Sequence, residues 1–93
     1  MSNMNRTEKL RHKIESTFAP VSCQIEDESA LHAGHAGAAS GGGHYKIHIV
    51  SAQFEGLNRL SRHRLVYDAV GDMMHAEIHA LAITAVAPSE IPQ

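Results

Sequence analysis

Apolar residues recur at Leu10, Ile14 and Phe18, four apart, and stripe one side of a helix. The spacing predicts a helix over residues 5–18. Asn5 can cap it, Glu8 sits three residues on as in a capping box, and Pro20 stops it. The period then changes to two. Val21, Cys23 and Ile25 share one face and Ser22, Gln24 and Glu26 the other, which predicts a half-buried strand over 21–26. Asp27 to Gly43 is small, polar or glycine and can bury little, so it reads as a long mobile loop. Alternation returns from His44 to Ser51, with Tyr45, Ile47 and Ile49 on one face. Phe54-Glu55-Gly56 reads as a turn. Residues 58–74 predict the main helix, where Leu65, Ala69 and Met73 form one row and Val66, Val70 and Met74 the next, a broad buried face. Ile78 to Val86 predicts a third strand, and Pro88 and Pro92 mark a tail.

The order is helix, strand, loop, strand, turn, helix, strand. The first two strands should pair antiparallel. The main helix should then cross over right-handed, so that the third strand runs parallel to the second. The expected architecture is α+β: a three-stranded mixed sheet with helices on one face, in the order α-β-β-α-β. There is room for a short extra helical turn before or after the main helix. The whole of 1–93 is expected to be one domain, with flexible ends at about 1–4 and 88–93 and a mobile loop over 27–43.

Composition narrows the class. Hydrophobic residues make up 43% of the 93, enough for one core, but aromatics only 4%, so that core must be mostly aliphatic. No apolar run approaches the roughly 20 residues that span a bilayer, so no membrane role is expected. The first residues lack the apolar stretch of a secretory signal. A single cysteine cannot form an internal disulfide, which leaves the cytoplasm as the default compartment. A net charge of −2 argues against a dedicated nucleic-acid binder, though not against a local basic face.

The candidate chemistry lies in the histidines, eight against one cysteine. His32 and His35 fall in the Gly/Ala-rich loop, and His79 opens the last apolar run. Imidazole is the commonest metal ligand. His79 shares strand parity with Leu81 and Ile83, which would aim it toward the helix layer. A His-x-x-His spacing alone is a weak metal signal.

Several blocks, taken together, resemble the BolA family. They are Asp27-Glu28-Ser29 before His32-Ala33-Gly34-His35, then His44-Tyr45, Ile49-Val50-Ser51 and Phe54-Glu55-Gly56. Arg62-His63-Arg64-Leu65-Val66-Tyr67 and Ile78-His79-Ala80-Leu81 complete the series. The resemblance covers most of residues 9–90 and implies a type II KH-like fold. It also implies a partner, a monothiol glutaredoxin, with which such proteins share a [2Fe–2S] cluster as a heterodimer. On this resemblance the ligands from this chain are His79 and a loop histidine. His32 is the better positional match and His35 the alternative, making this the histidine-loop subtype. The glutaredoxin and its glutathione would supply thiolates. Histidine on one iron of such a centre raises its potential relative to all-thiolate ligation. The role implied is a non-enzymatic adaptor for cluster assembly, transfer or iron sensing. Self-association of the free chain is compatible with it.

Other residues carry a second reading. Arg59, Arg62, His63 and Arg64 form a basic cluster on the main helix, fit for a glutaredoxin, for glutathione or for DNA phosphates. Family members are also described as DNA-binding transcriptional regulators. Gly34-His35-Ala36-Gly37 matches the GxxG of KH domains, but it precedes the second strand instead of joining two helices after it. The clamp for RNA is therefore not expected. A third reading is a mononuclear metal buffer using His32, His35 and His79. His44, at the loop's exit, is expected to orient the loop, and His75 to suit a helix end. Cys23 is expected to be a buried, inert thiol. No nucleophile–base pair or carboxylate dyad suggests catalysis.

Overall fold

The computed structural model describes residues 5–28, 43–74 and 77–91. His75 and the two loop histidines, His32 and His35, lie outside these residues. The elements follow the expected order. Helix α1 spans Arg6–Phe18, strand β1 Ser22–Asp27, strand β2 Gly43–Val50, helix α2 Arg59–Val70 and strand β3 Ile78–Val86. Three short 3₁₀ turns, at Ala52–Phe54, Gly71–Met73 and Pro88–Glu90, fill the connections.

Each helix starts where its cap dictates. Asn5 Oδ1 accepts from Glu8 N–H at 2.8 Å, and Asn58 Oδ1 accepts from Ser61 N–H at 2.8 Å. Helix α1 ends at Ala19: its N–H makes the last bond, to Glu15 O, and its left-handed conformation (φ 42°) then turns the chain out of the helix. Its buried residues are Leu10, Ile14 and Phe18, the stripe read from the sequence.

The sheet has the order β1-β2-β3, with β1 antiparallel and β3 parallel to the central strand. Tyr45, Ile47 and Ile49 turn one face of β2 into the core, against Leu10, Ile14 and Phe18 of α1 and Val66 and Val70 of α2. The opposite face of the sheet carries Gln24, Glu26, Lys46 and His48. The result is the two-layer α+β arrangement.

Four local expectations need correction. Helix α2 buries Val66 and Val70, and Met73 of the following 3₁₀ turn, while Leu65 is 36% exposed. Ala69 and Met74 pack against the core as well, so both predicted rows face inward and Leu65, at the start of its row, is the residue that stays outside. Val21 is not in the strand and is 72% exposed. The tail is not loose over 88–91: Ser89 Oγ donates to Glu55 Oε1 at 2.6 Å, and Glu90 is held by Arg62. The fourth concerns His79.

Candidate metal-ligating site

Parallel neighbours β2 and β3 start at the same end of the sheet, so His44 and His79, near their first residues, lie side by side. Their separation depends on an irregularity. From His44↔Ala80 to Val50↔Val86 the ladder is regular, but the first rung pairs Gly43 with Ile78. One residue of β3, His79, is therefore extra. The bulge lets both Ile78 (2% exposed) and Leu81 face the core, and it turns His79 outward, where it is exposed. The parity that aimed His79 at the helices does not survive it.

The outward turn brings the two imidazoles together, with ring centroids 5.1 Å apart and planes tilted by 44°. Two imidazoles on one tetrahedral metal, with metal–nitrogen bonds of about 2.0–2.1 Å, place their centroids about 5 Å apart. The spacing therefore allows both rings to reach one centre, although it is also that of an ordinary ring contact such as Phe18–Phe54, at 5.1 Å. His44 is half-buried and sits on β2. Sequence reasoning gave it a structural part. The missing signal was pairing between strands, since nothing local to His44-Tyr45 announces a neighbour 35 residues away. Among the described residues no group of three or more His, Cys, Asp or Glu could hold a metal. A centre on His44 and His79 needs further ligands from elsewhere.

The loop's ends lie at the same place. Glu28 N–H donates to His44 O at 2.8 Å, so the chain leaves the described residues beside His44 and returns at Gly43.

The basic cluster on α2 is divided. Arg59 and Arg64 are exposed and His63 is partly so. Arg62 is not free for an external anion: its side chain is 12% exposed and forms a bidentate pair with Glu90. It also donates to Leu57 O at 2.9 Å and Ala85 O at 3.0 Å. A hollow of about 460 Å³ lies beside it, lined among others by Asn58, Arg59, His63 and Glu90. The Glu90 carboxylate cancels one cation of the cluster at this hollow. Cys23 is half-buried and not fully buried as expected, and burial raises its pKa against the opposing charge of Arg11.

The fold and the histidine pair define a small two-layer α+β domain with two neighbouring imidazoles at one end of its sheet. The chain belongs to the BolA family: the family model described as BolA-like protein matches residues 14–90. Protein BOLA1, chloroplastic, of Arabidopsis thaliana is 42% identical over 91 residues, 95% of this chain and 57% of that protein. SufE-like protein 1, chloroplastic/mitochondrial, from the same plant is 38% identical over 94% of this chain and 25% of its own length. The chain thus spans only part of these two relatives. The DNA-binding transcriptional regulator BolA of Haemophilus influenzae is 36% identical over 87% of this chain and 76% of that protein. Among solved structures, BolA1 from Arabidopsis thaliana superposes with a TM-score of 0.82 at 38% identity, covering 97% of this chain and 100% of that one. No helix among the described residues is long and apolar enough to cross a membrane.

Proposed function

We propose that this chain is a non-enzymatic adaptor that pairs with a monothiol glutaredoxin and lends imidazoles to a shared [2Fe–2S] cluster. The observation that carries the reading is the His44–His79 pair at 5.1 Å. His79 is one ligand. The second imidazole comes from His32 or His35 of the loop, as the resemblance implies, or from His44, whose ring stands 5.1 Å from that of His79. His32 is four residues beyond Glu28, a reach of at most about 14 Å from the strand end beside His44. The cluster, when bound, supplies one-electron chemistry tuned by its ligands. Two imidazoles leave an incomplete coordination shell, so the partner's thiolate and glutathione complete it. The presence of a BolA domain in a SufE-like protein supports an iron–sulfur setting.

The test is visible absorbance and circular dichroism of the chain with a monothiol glutaredoxin, glutathione, iron and sulfide, with His79→Ala and His44→Ala beside it. A spectrum distinct from that of glutaredoxin alone, absent in His79→Ala with the fold intact, is expected. A mixture indistinguishable from glutaredoxin alone would overturn the reading.

A DNA-binding role is the second reading, supported by the name of the Haemophilus relative and by exposed Arg59 and Arg64. The engagement of Arg62 by Glu90 weakens it. It requires binding that falls steeply with salt and with Arg59→Ala and Arg64→Ala.

A further inference from the structure

Glu77 stands just before β3, two residues from His79, and is gripped from several sides. Its carbonyl oxygen accepts from Gly43 N–H at 3.1 Å and from Arg6 Nη1 at 3.1 Å. Its carboxylate takes Lys9 Nζ at 2.7 Å, and its own N–H donates to Met73 O at 3.0 Å. The first turn of α1 therefore holds the start of β3 against the start of β2. Gly43 admits this approach because it has no side chain: a Cβ there would lie 2.5 Å from Tyr45 Cε2 and 3.0 Å from Arg6 Nη1.

Bulges are rare between parallel strands, and the ladder beyond His44 shows no need of one. Without the bulge the regular register would continue, Gly43 would pair with His79, and His79 would take the inward parity of Leu81. Burial of Ile78 favours the bulge, and the grip on Glu77 fixes the residue at which it falls. We propose that Arg6 and Lys9 are positioning residues for the imidazole pair: by clamping Glu77 they keep His79 on the outer side beside His44. The metal-binding part of this inference rests on the function proposed above, but the geometric part does not.

Lys9 and Glu77 are 43% and 36% exposed, and an exposed ion pair contributes little to stability, whereas the Arg6 bond to the Glu77 carbonyl is part-buried. Removal of the clamp should therefore show in the geometry of His79 more than in unfolding. The experiment compares the metal-free chain with Arg6→Met/Lys9→Met, which keeps the aliphatic stems, and with Arg6→Lys/Lys9→Arg, which keeps the cations. Nuclear Overhauser signals between the ring protons of His44 and His79 are measured alongside the thermal midpoint. Co²⁺ titration, followed by visible absorbance, gives the affinity of the pair for a metal alone.

The ring-to-ring Overhauser signals should be present in the parent, weaken in the Met double variant, where burial of Ile78 alone still favours the bulge, and return in the Lys/Arg one, with midpoints close together. Co²⁺ affinity should fall roughly 10-fold in the Met variant, the low end of what removing an orienting partner costs. Overhauser signals that persist unchanged in the Met double variant would overturn the proposal. Their weakening in that variant, together with no cluster spectrum from the parent chain and glutaredoxin, would uphold the clamp and refute the adaptor reading.

Discussion

Arg62 and Glu90, 28 residues apart, form a two-point pair, Nη1 to Oε1 at 2.6 Å and Nη2 to Oε2 at 2.8 Å. The pair fastens the C-terminal turn to α2. Through its bond to Ala85 O, Arg62 also occupies a backbone acceptor of β3, an edge strand of the sheet among the described residues. Filling edge acceptors with side chains discourages pairing with another chain. Tyr67 does the same farther along, donating to Leu81 O at 3.4 Å.

Arg62→Ala should therefore lower the thermal midpoint more than Arg59→Ala or Arg64→Ala. Arg62→Lys should recover only part of the loss, because an ammonium cannot reproduce the planar fork. Thermal unfolding of the four variants checks this. Equal midpoints for the three alanine variants would show that the pair has no structural weight.

The same pair predicts a pH dependence. The Arg62 guanidinium, and after it the Ala87 N–H, lowers the Glu90 carboxyl from 4.5 to about 2. The folded value lies below the unfolded one. Its contribution is therefore complete above about pH 4.5 and is lost as pH falls toward 2. Glu90→Gln should be less stable than the parent at neutral pH, and the two should converge in acid. Asp72, lowered first by its hydrogen bond from Lys13, adds in the same direction. Urea unfolding at a series of pH values reads the difference, and a constant gap down to pH 2 would rule the linkage out.

Ser51 is a fully buried polar side chain. Its hydroxyl donates to Phe18 O at 2.8 Å and accepts from Gln53 N–H at 3.2 Å, joining the end of α1 to the turn after β2. Ser51→Ala should cost about 1–3 kcal/mol, since it leaves a buried carbonyl without this donor. Chemical denaturation measures it, and a loss under about 0.5 kcal/mol, the range of ordinary surface changes, would contradict the argument.

Two backbone positions should respond in opposite senses. Ala19 holds a left-handed conformation without being glycine, so Ala19→Gly should stabilise the chain by up to about 1 kcal/mol. Gly56 has φ 75° and open space where a Cβ would go. Gly56→Ala should thus destabilise by about 1–2 kcal/mol through backbone strain alone. Chemical denaturation of the two variants gives both signs, and the same sign for both would refute the argument.

Much of the fold was legible along the chain. The helix stripe of Leu10, Ile14 and Phe18, the bounds of Ile78–Val86 and the inward row of Tyr45, Ile47 and Ile49 follow from local period. The asparagine cap on α1 and the mixed sheet order were also within reach. The candidate site was legible only in part. His79 could be singled out from the sequence, but its direction could not be read from strand parity. His32 and His35 lie outside the described residues.

Sequence alone determined which segments become helices and strands, because 3.6- and 2-residue periods are written between near neighbours. It also supplied the histidines and the one cysteine. Tertiary structure decided that His44 stands beside His79, that the basic cluster loses Arg62 to Glu90, and that Leu65 stays outside. Each of these depends on register and packing between segments tens of residues apart. A one-residue bulge at Gly43 and Ile78 reverses a side chain's direction without changing any local pattern.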